Sequence, residues 1–156
     1  MKAEVFSPDA LEFLGLLAKH EVRYVLIGGT AVIYHGYPRL TGDLDVLYEC
    51  EGGNVRRLWA ALNEFWRGSV PSLTGAAELE NPEIVVQFGR PPNRIDLIAR
   101  LESVPFDSAW NNRVRDRIVT ASGAIPVSIL GLAELRRSKQ DAGRPKDLDD
   151  LEHLPK

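Results

Sequence analysis

The stretch that most constrains this chain is residues 24–48, YVLIGGTAVIYHGYPRLTGDLDVLY. An apolar run, Tyr24 to Ile27, ends in Gly28-Gly29. A short helix-like segment follows, and Asp43 and Asp45 then flank Leu44 in a second apolar run. A short, wholly apolar run suits a central strand covered on both faces. Two glycines at its end can open a helix and leave backbone N–H groups free to face an anion. In a strand, residues i and i+2 project to one face, so Asp43 and Asp45 would stand side by side. Two such carboxylates repel each other unless a cation lies between them. Aspartate is also a poor strand former, so a pair in one strand needs a reason. The natural cation for all-oxygen ligands is Mg²⁺, whose shell is commonly completed by substrate phosphates. The bland alternatives are the solvated face of an edge strand for the aspartates and a ligand-free turn for the glycines.

The rest of the chain reads as alternating helices and strands. Ser7-Pro8-Asp9 is a helix start, with a hydroxyl cap, proline at the first helical position and an acid in the first turn. Leu11, Leu14, Leu17 and Ala18 continue it at helical spacing to about Glu21. Residues 30–35 form a short helix stopped by Gly36 and Pro38, and 43–48 form the second strand. A third helix opens at Gly53 with Val55, Leu58, Trp59, Leu62, Phe65 and Trp66 as its buried stripe. Residues 69–82, rich in Gly, Ser and Pro, read as a loop. Apolar runs at 84–88 and 94–99 bracket Arg90-Pro91-Pro92-Asn93 and predict a hairpin. A short helix over 106–114, strands over 118–121 and 125–130, and two helices over 131–141 and 146–154 complete the chain. The fold class is α+β, a mixed α/β layer in which helices flank a mixed sheet, with helices at the C-terminus and residues 1–156 as one domain.

Composition narrows the classes. At 156 residues, with 44% apolar and 26% charged side chains, the chain can bury a core of ordinary size. No apolar stretch nears the roughly 20 residues that span a bilayer. Acidic residues stand where a signal peptide has its basic head, and Cys50 has no second cysteine to pair with, so the expected location is cytoplasmic. A net charge of −3 supplies no global field toward nucleic acid, although Arg136, Arg137, Lys139, Arg144 and Lys146 form a local basic cluster. Neither a P-loop nor a dinucleotide fingerprint is present, and His20, His35 and His153 are not spaced as zinc ligands. Tyr34 and Tyr37 could stack on a base or pack in the core.

Taken together, Gly28-Gly29 and Asp43-Leu44-Asp45 resemble the paired motifs of the nucleotidyltransferase superfamily, which has the polymerase-beta-like fold. Asp96, in Arg94-Ile95-Asp96-Leu97-Ile98, fits that family's third carboxylate on a later strand. Arg39-Leu40-Thr41-Gly42-Asp43 and the tail Leu132-Ala133-Glu134-Leu135, Lys139, Gly143-Arg144-Pro145-Lys146-Asp147-Leu148 and Asp150-Leu151 resemble small bacterial members. Those are the AbiEii-type enzymes of toxin–antitoxin and abortive-infection systems. The resemblance implies an Mg²⁺- or Mn²⁺-dependent enzyme that uses a nucleoside triphosphate. Asp43 and Asp45 would hold both metals, and Asp96 would bind the catalytic metal and help to deprotonate an acceptor hydroxyl. Gly28 and Gly29 would meet the phosphates, where a Cβ on Gly29 would intrude. Thr30, often serine in the family, could cap the helix and bond a phosphate oxygen. Lys139 and Arg144 could contact the triphosphate or pair with Glu134, Asp141 or Asp147.

The resemblance leaves the acceptor open among RNA, protein and a small molecule. It also implies a toxin–antitoxin partner protein. A competing expectation is a scaffold with weak or lost catalysis that serves as a regulatory partner in such a pair. A third is a simple nucleotide-binding protein, which would not need three converging acids.

Overall fold

The computed structural model of the chain describes residues 1–91 and 93–156, so the Pro92 of the expected hairpin loop lies outside the described residues. Helix α1 (Pro8–Lys19) starts as its sequence dictates: Ser7 Oγ accepts from the Ala10 N–H at 3.1 Å, and Pro8 occupies the first turn. It stops short of Glu21, which takes a left-handed conformation (φ 55°) and turns the chain toward strand β1 (Tyr24–Ile27). Helix α2 (Gly28–Tyr34) begins at the glycines themselves, two residues earlier than the expected start. Strand β2 (Asp43–Tyr48) and helix α3 (Gly52–Phe65) follow, the latter capped by the Glu51 carboxylate, which accepts from the N–H groups of Gly53 and Asn54.

The hairpin is present as β3 (Val85–Phe88) paired antiparallel with β4 (Arg94–Ile98). Helix α4 (Phe106–Asn111) ends before Val114, which opens β5 (Val114–Thr120). Strand β6 (Gly123–Ile129) pairs antiparallel with β5. Helices α5 (Leu132–Ala142) and α6 (Pro145–His153) meet across Gly143, which adopts φ 61°. Two expectations shift. Strand β5 reaches back to Val114 through Arg115 and Arg117, which are exposed, and Asp116, which shares the face of buried Ile118 and accepts from the N-terminal amine at 3.0 Å; these charged residues hide the strand from a search for apolar runs. The expected loop over 69–82 contains a 3₁₀ turn, Ala76–Glu80, that buries Leu79.

The six strands form one mixed sheet in the order β3-β4-β2-β1-β6-β5, with β2/β4 and β1/β6 parallel and the other pairs antiparallel. Register divides it into two faces. Tyr24, Leu26, Leu44, Val46, Ile95 and Leu97 share one face. Helix α1 packs there, with Ala10 beside Leu44 and Ile95 and Leu17 beside Tyr24. Trp66, at the end of α3, lies 5.5 Å from Phe88 on the same side. Ile27, Asp43, Asp45 and Asp96 share the opposite face, toward α5 and α6. All four residues of β1 are buried, as a strand covered on both faces requires.

Candidate active site

The carboxylate wall follows from register. Strand β2 alternates Asp43, Leu44, Asp45 and Val46, so the acids share the face opposite the packed leucine and valine. Parallel pairing sets Asp45 against Asp96 and Asp43 against Arg94, while β1 sets Ile27 against Asp45. Asp43, Asp45 and Asp96 thereby each offer a carboxylate oxygen, all within 4.8 Å of one another. The neighbouring β3 places Gln87 opposite Asp96, and its Nε2 lies 3.4 Å from Asp96 Oδ2.

Arg94 stands among the acids. Its Nε donates to Asp96 Oδ1 at 2.9 Å, and its Nη2 donates to Asp43 Oδ2 at 2.6 Å and to Asp96 Oδ2 at 3.2 Å. None of these bonds reaches Asp45. Burial first, and then the charges of Asp96 and Asp43, push the Asp45 carboxyl up to about 7. Gly28 makes room for that carboxylate: its backbone is left-handed (φ 63°), and a Cβ there would strike Asp45 Oδ2 and lie 3.0 Å from Asp45 Cγ.

The residues fit a divalent ion. All donors are carboxylate oxygens, the set suited to Mg²⁺ or Mn²⁺. Asp43 Oδ1 is buried yet has no hydrogen-bond partner among the described residues, an orphaned acceptor in a position where a cation would satisfy it.

The wall opens on a cleft of about 390 Å³. Seven of the eight residues singled out in the sequence line it: Gly28, Gly29, Asp43, Asp45, Asp96, Lys139 and Arg144. Thr30 does not. It is buried and borders a small separate pocket with Ser7 and Thr41. The two glycines differ in role, because a Cβ on Gly29 would meet Thr41 Oγ1 at 2.5 Å and Thr41 Cβ at 2.7 Å, not open space. Gly29 is therefore needed for packing of the Arg39–Thr41 loop.

The cationic side of the cleft is built by a network spanning three elements. Arg39, in the loop before β2, makes a two-pronged pair with Asp150 of α6, at 2.7 Å (Nε–Oδ1) and 3.0 Å (Nη2–Oδ2). Lys139 of α5 bonds Asp150 Oδ2 at 2.9 Å and Asp147 Oδ1 at 3.2 Å, and Arg144 Nε bonds Asp147 Oδ2 at 2.7 Å. Burial alone would raise the carboxyls of Asp147 and Asp150. The bonds from Arg144, Lys139 and Arg39 outweigh it and hold both below the ordinary carboxylate range. Of the alternatives open for Lys139 and Arg144, Asp147 is the carboxylate both engage. Lys139 is buried there, whereas the Arg144 side chain keeps 73% of its exposure. Lys146 also lines the cleft and has no ion-pair partner among the described residues. Tyr37 is occupied elsewhere: it donates to Asp149 at 2.8 Å and stacks on His153 at 4.1 Å.

Sequence reasoning missed Arg39, Arg94 and Lys146 as cleft residues. Arg94 had a usable signal, since a residue two before Asp96 in the same strand must share its face.

No family model matches the chain, and no curated protein matches it. Among solved structures it is similar to a candidate nucleotidyltransferase of Thermotoga maritima, with a TM-score of 0.52 and 17% sequence identity. The likeness spans 94% of this chain and 92% of that one. At that identity the likeness is one of architecture. The six-stranded mixed sheet flanked by helices, with three aspartates converging on its carboxylate face, is a nucleotidyltransferase-like fold.

Proposed function

We propose that this protein transfers a nucleoside monophosphate from a nucleoside triphosphate to a hydroxyl acceptor, with Mg²⁺ or Mn²⁺ held by Asp43, Asp45 and Asp96. The observation that carries the reading is the convergence of three carboxylate oxygens within 4.8 Å, on neighbouring parallel strands of this fold. When bound there, a divalent ion offsets charge on the attacking and leaving oxygens. Asp96 takes the acceptor's proton as its oxygen bonds the α-phosphorus. The bond to the β-phosphate breaks, and pyrophosphate leaves with the electron pair. Gly28 and Gly29 face the phosphates from the start of α2, whose leading N–H groups receive no side-chain cap. Arg144 and Lys146, the exposed cations of the cleft, take the triphosphate oxygens.

The setting we propose is a toxin–antitoxin or abortive-infection pair. The residues that carry that resemblance support it, since Arg39, Thr41, Lys139, Arg144, Asp147 and Asp150 all gather in or beside this cleft. A small DNA-binding or helical protein encoded next to this chain is the expected neighbour.

The test follows the label. Protein incubated with Mg²⁺, cell extract and a triphosphate labelled at the α-phosphate is expected to pass label to an acceptor and release pyrophosphate. Transfer only from the γ-position would mark a kinase instead. Asp96→Asn is expected to retain triphosphate binding and transfer far more slowly. Nuclease and protease digestion of the product separates RNA from protein acceptors. If no fraction takes up α-label with either metal and Asp96→Asn matches the wild type, the catalytic reading fails and a non-catalytic partner role replaces it.

A further inference from the structure

We propose that Arg94 is a built-in counterion. It occupies the aspartate trio in the metal-free protein and must give way for a divalent ion to enter, so that metal and triphosphate are taken up together. The inference rests on the metal–triphosphate reading of this site.

Register leaves Arg94 little choice. It lies two residues before Asp96 on β4 and directly opposite Asp43 on β2, so its side chain starts on the carboxylate wall. Its guanidinium engages both oxygens of Asp96 and one of Asp43. These are the groups that would ligate a metal, and a guanidinium within hydrogen-bond distance of them repels an incoming divalent cation. Without Arg94, three carboxylates so close together would repel one another, which explains why the wall keeps a cation of its own.

Release has a cost and a destination. The Arg94 side chain remains 27% exposed at the cleft wall, so it has room to turn from the acids into the cleft. A guanidinium that loses two carboxylates needs another anion that accepts two parallel N–H bonds, and a pair of phosphate oxygens offers that fork. The nearby carboxylates of α6, Asp147 and Asp150, are already engaged by Lys139, Arg144 and Arg39. Metal alone would therefore displace Arg94 toward nothing that satisfies it. Metal arriving with triphosphate supplies ligand and acceptor at once. By linkage the coupling is reciprocal: triphosphate tightens metal binding by the factor that metal tightens triphosphate binding.

The probe is Mn²⁺ alone, with free ion measured by electron paramagnetic resonance and no nucleotide present. Arg94→Gln is expected to bind Mn²⁺ more tightly than wild type by about tenfold, the order of an ordinary coupling between sites. Arg94→Lys, which keeps the charge but loses the fork, is expected to fall between them. A purely structural ion pair predicts the reverse, with the variants less stable and their metal affinity unchanged or weaker. That result, with binding still abolished by Asp43→Asn, would overturn the inference while leaving the metal site standing. Should Arg94→Gln fail to fold, Arg94→Lys gives the same decision: tighter Mn²⁺ binding than wild type supports the inference, and equal or weaker binding overturns it. If wild type and variants bind no Mn²⁺ in an Asp43-dependent way, even with an α,β-methylene triphosphate, the functional reading itself fails and this inference falls with it.

Discussion

Asp45 is the acid of the trio that receives no bond from Arg94, and its carboxyl is pushed up to about 7 by burial and by the neighbouring Asp96 and Asp43. Between the ordinary aspartate value near 4 and about 7, the folded chain holds a proton on Asp45 that the unfolded chain does not. Stability from this group is therefore full at the low end of that window and is lost as pH rises through it. Thermal melts of the metal-free protein are expected to fall between about pH 4 and pH 7, and Asp45→Asn is expected to flatten that slope. An unchanged slope in Asp45→Asn would sink the assignment. Asp147 and Asp150, held below the ordinary range, act in the opposite sense, and their contribution disappears only as pH drops below about 4. Gly28 belongs to the same argument, because its missing Cβ leaves the space that the Asp45 carboxylate uses. Gly28→Ala combines a left-handed backbone, costing about 1–2 kcal/mol, with a direct clash on that carboxylate. It is expected to lose Mn²⁺ binding, read by calorimetry. Gly29→Ala instead presses on Thr41 and is expected to cost about 1–3 kcal/mol in a denaturant melt.

Helices α5 and α6 are tied to each other and to the loop before β2 through buried charge. Asp150 and Asp147 are almost wholly buried and are satisfied by Arg39, Lys139 and Arg144. Removing one partner of such a pair leaves the other charge buried and alone, which costs about 3–5 kcal/mol. Asp150→Ala is expected to lose that much in urea unfolding, since it strands the partly buried Arg39 and leaves Lys139 with Asp147 alone. Lys139→Ala is likewise expected to act mainly on stability. Lys146→Ala is expected to weaken triphosphate binding, more at low salt than at high salt, with little change in melting temperature, whereas Arg144→Ala, which leaves buried Asp147 with Lys139 alone, is expected to lower both. If Lys139→Ala keeps full stability and loses nucleotide, the division of labour between these cations is wrong. Elements of this kind were unevenly legible in the sequence. Strands β1 and β2, the β3–β4 hairpin and helix α1 carry their own local signals: apolar runs, bracketing glycines and prolines, a capped and periodic helix. Asp43 and Asp45 were legible because strand alternation puts them on one face, and Asp96 was reached through the family resemblance. The commitments of the cations were not. Arg94 meets Asp43 across 51 residues and Arg39 meets Asp150 across 111, and no local pattern records which partner a distant arginine finds. Edge strand β5 was half hidden for a related reason, because its outward charges break the apolar run.

At the scale of the molecule, charge is arranged locally. The chain carries 19 basic and 22 acidic side chains, yet five of the basic ones, Arg39, Arg94, Lys139, Arg144 and Lys146, line one cleft that also holds Asp43, Asp45, Asp96 and Asp147. Such a cleft is close to neutral before any ligand arrives. A triphosphate alone would meet the carboxylate wall, and a divalent ion alone would meet Arg94. Together, the ion offsets part of the triphosphate's negative charge, and the pair disturbs the balance less than the triphosphate alone. The whole protein should therefore respond to the pair and hardly to either component. With Mg²⁺ and triphosphate at about a hundredfold over the dissociation constant, binding adds about 2.7 kcal/mol to stability. For a chain of this length that is a rise in melting temperature of about 5–11 °C. Mg²⁺ alone and triphosphate with chelator are each expected to shift the melt by a small part of that, and Asp43→Asn is expected to abolish the combined shift. A full shift from triphosphate in chelator, or one that survives Asp43→Asn, would mean that the phosphates are held without the aspartates and that the cleft works as an anion site rather than a metal–nucleotide site.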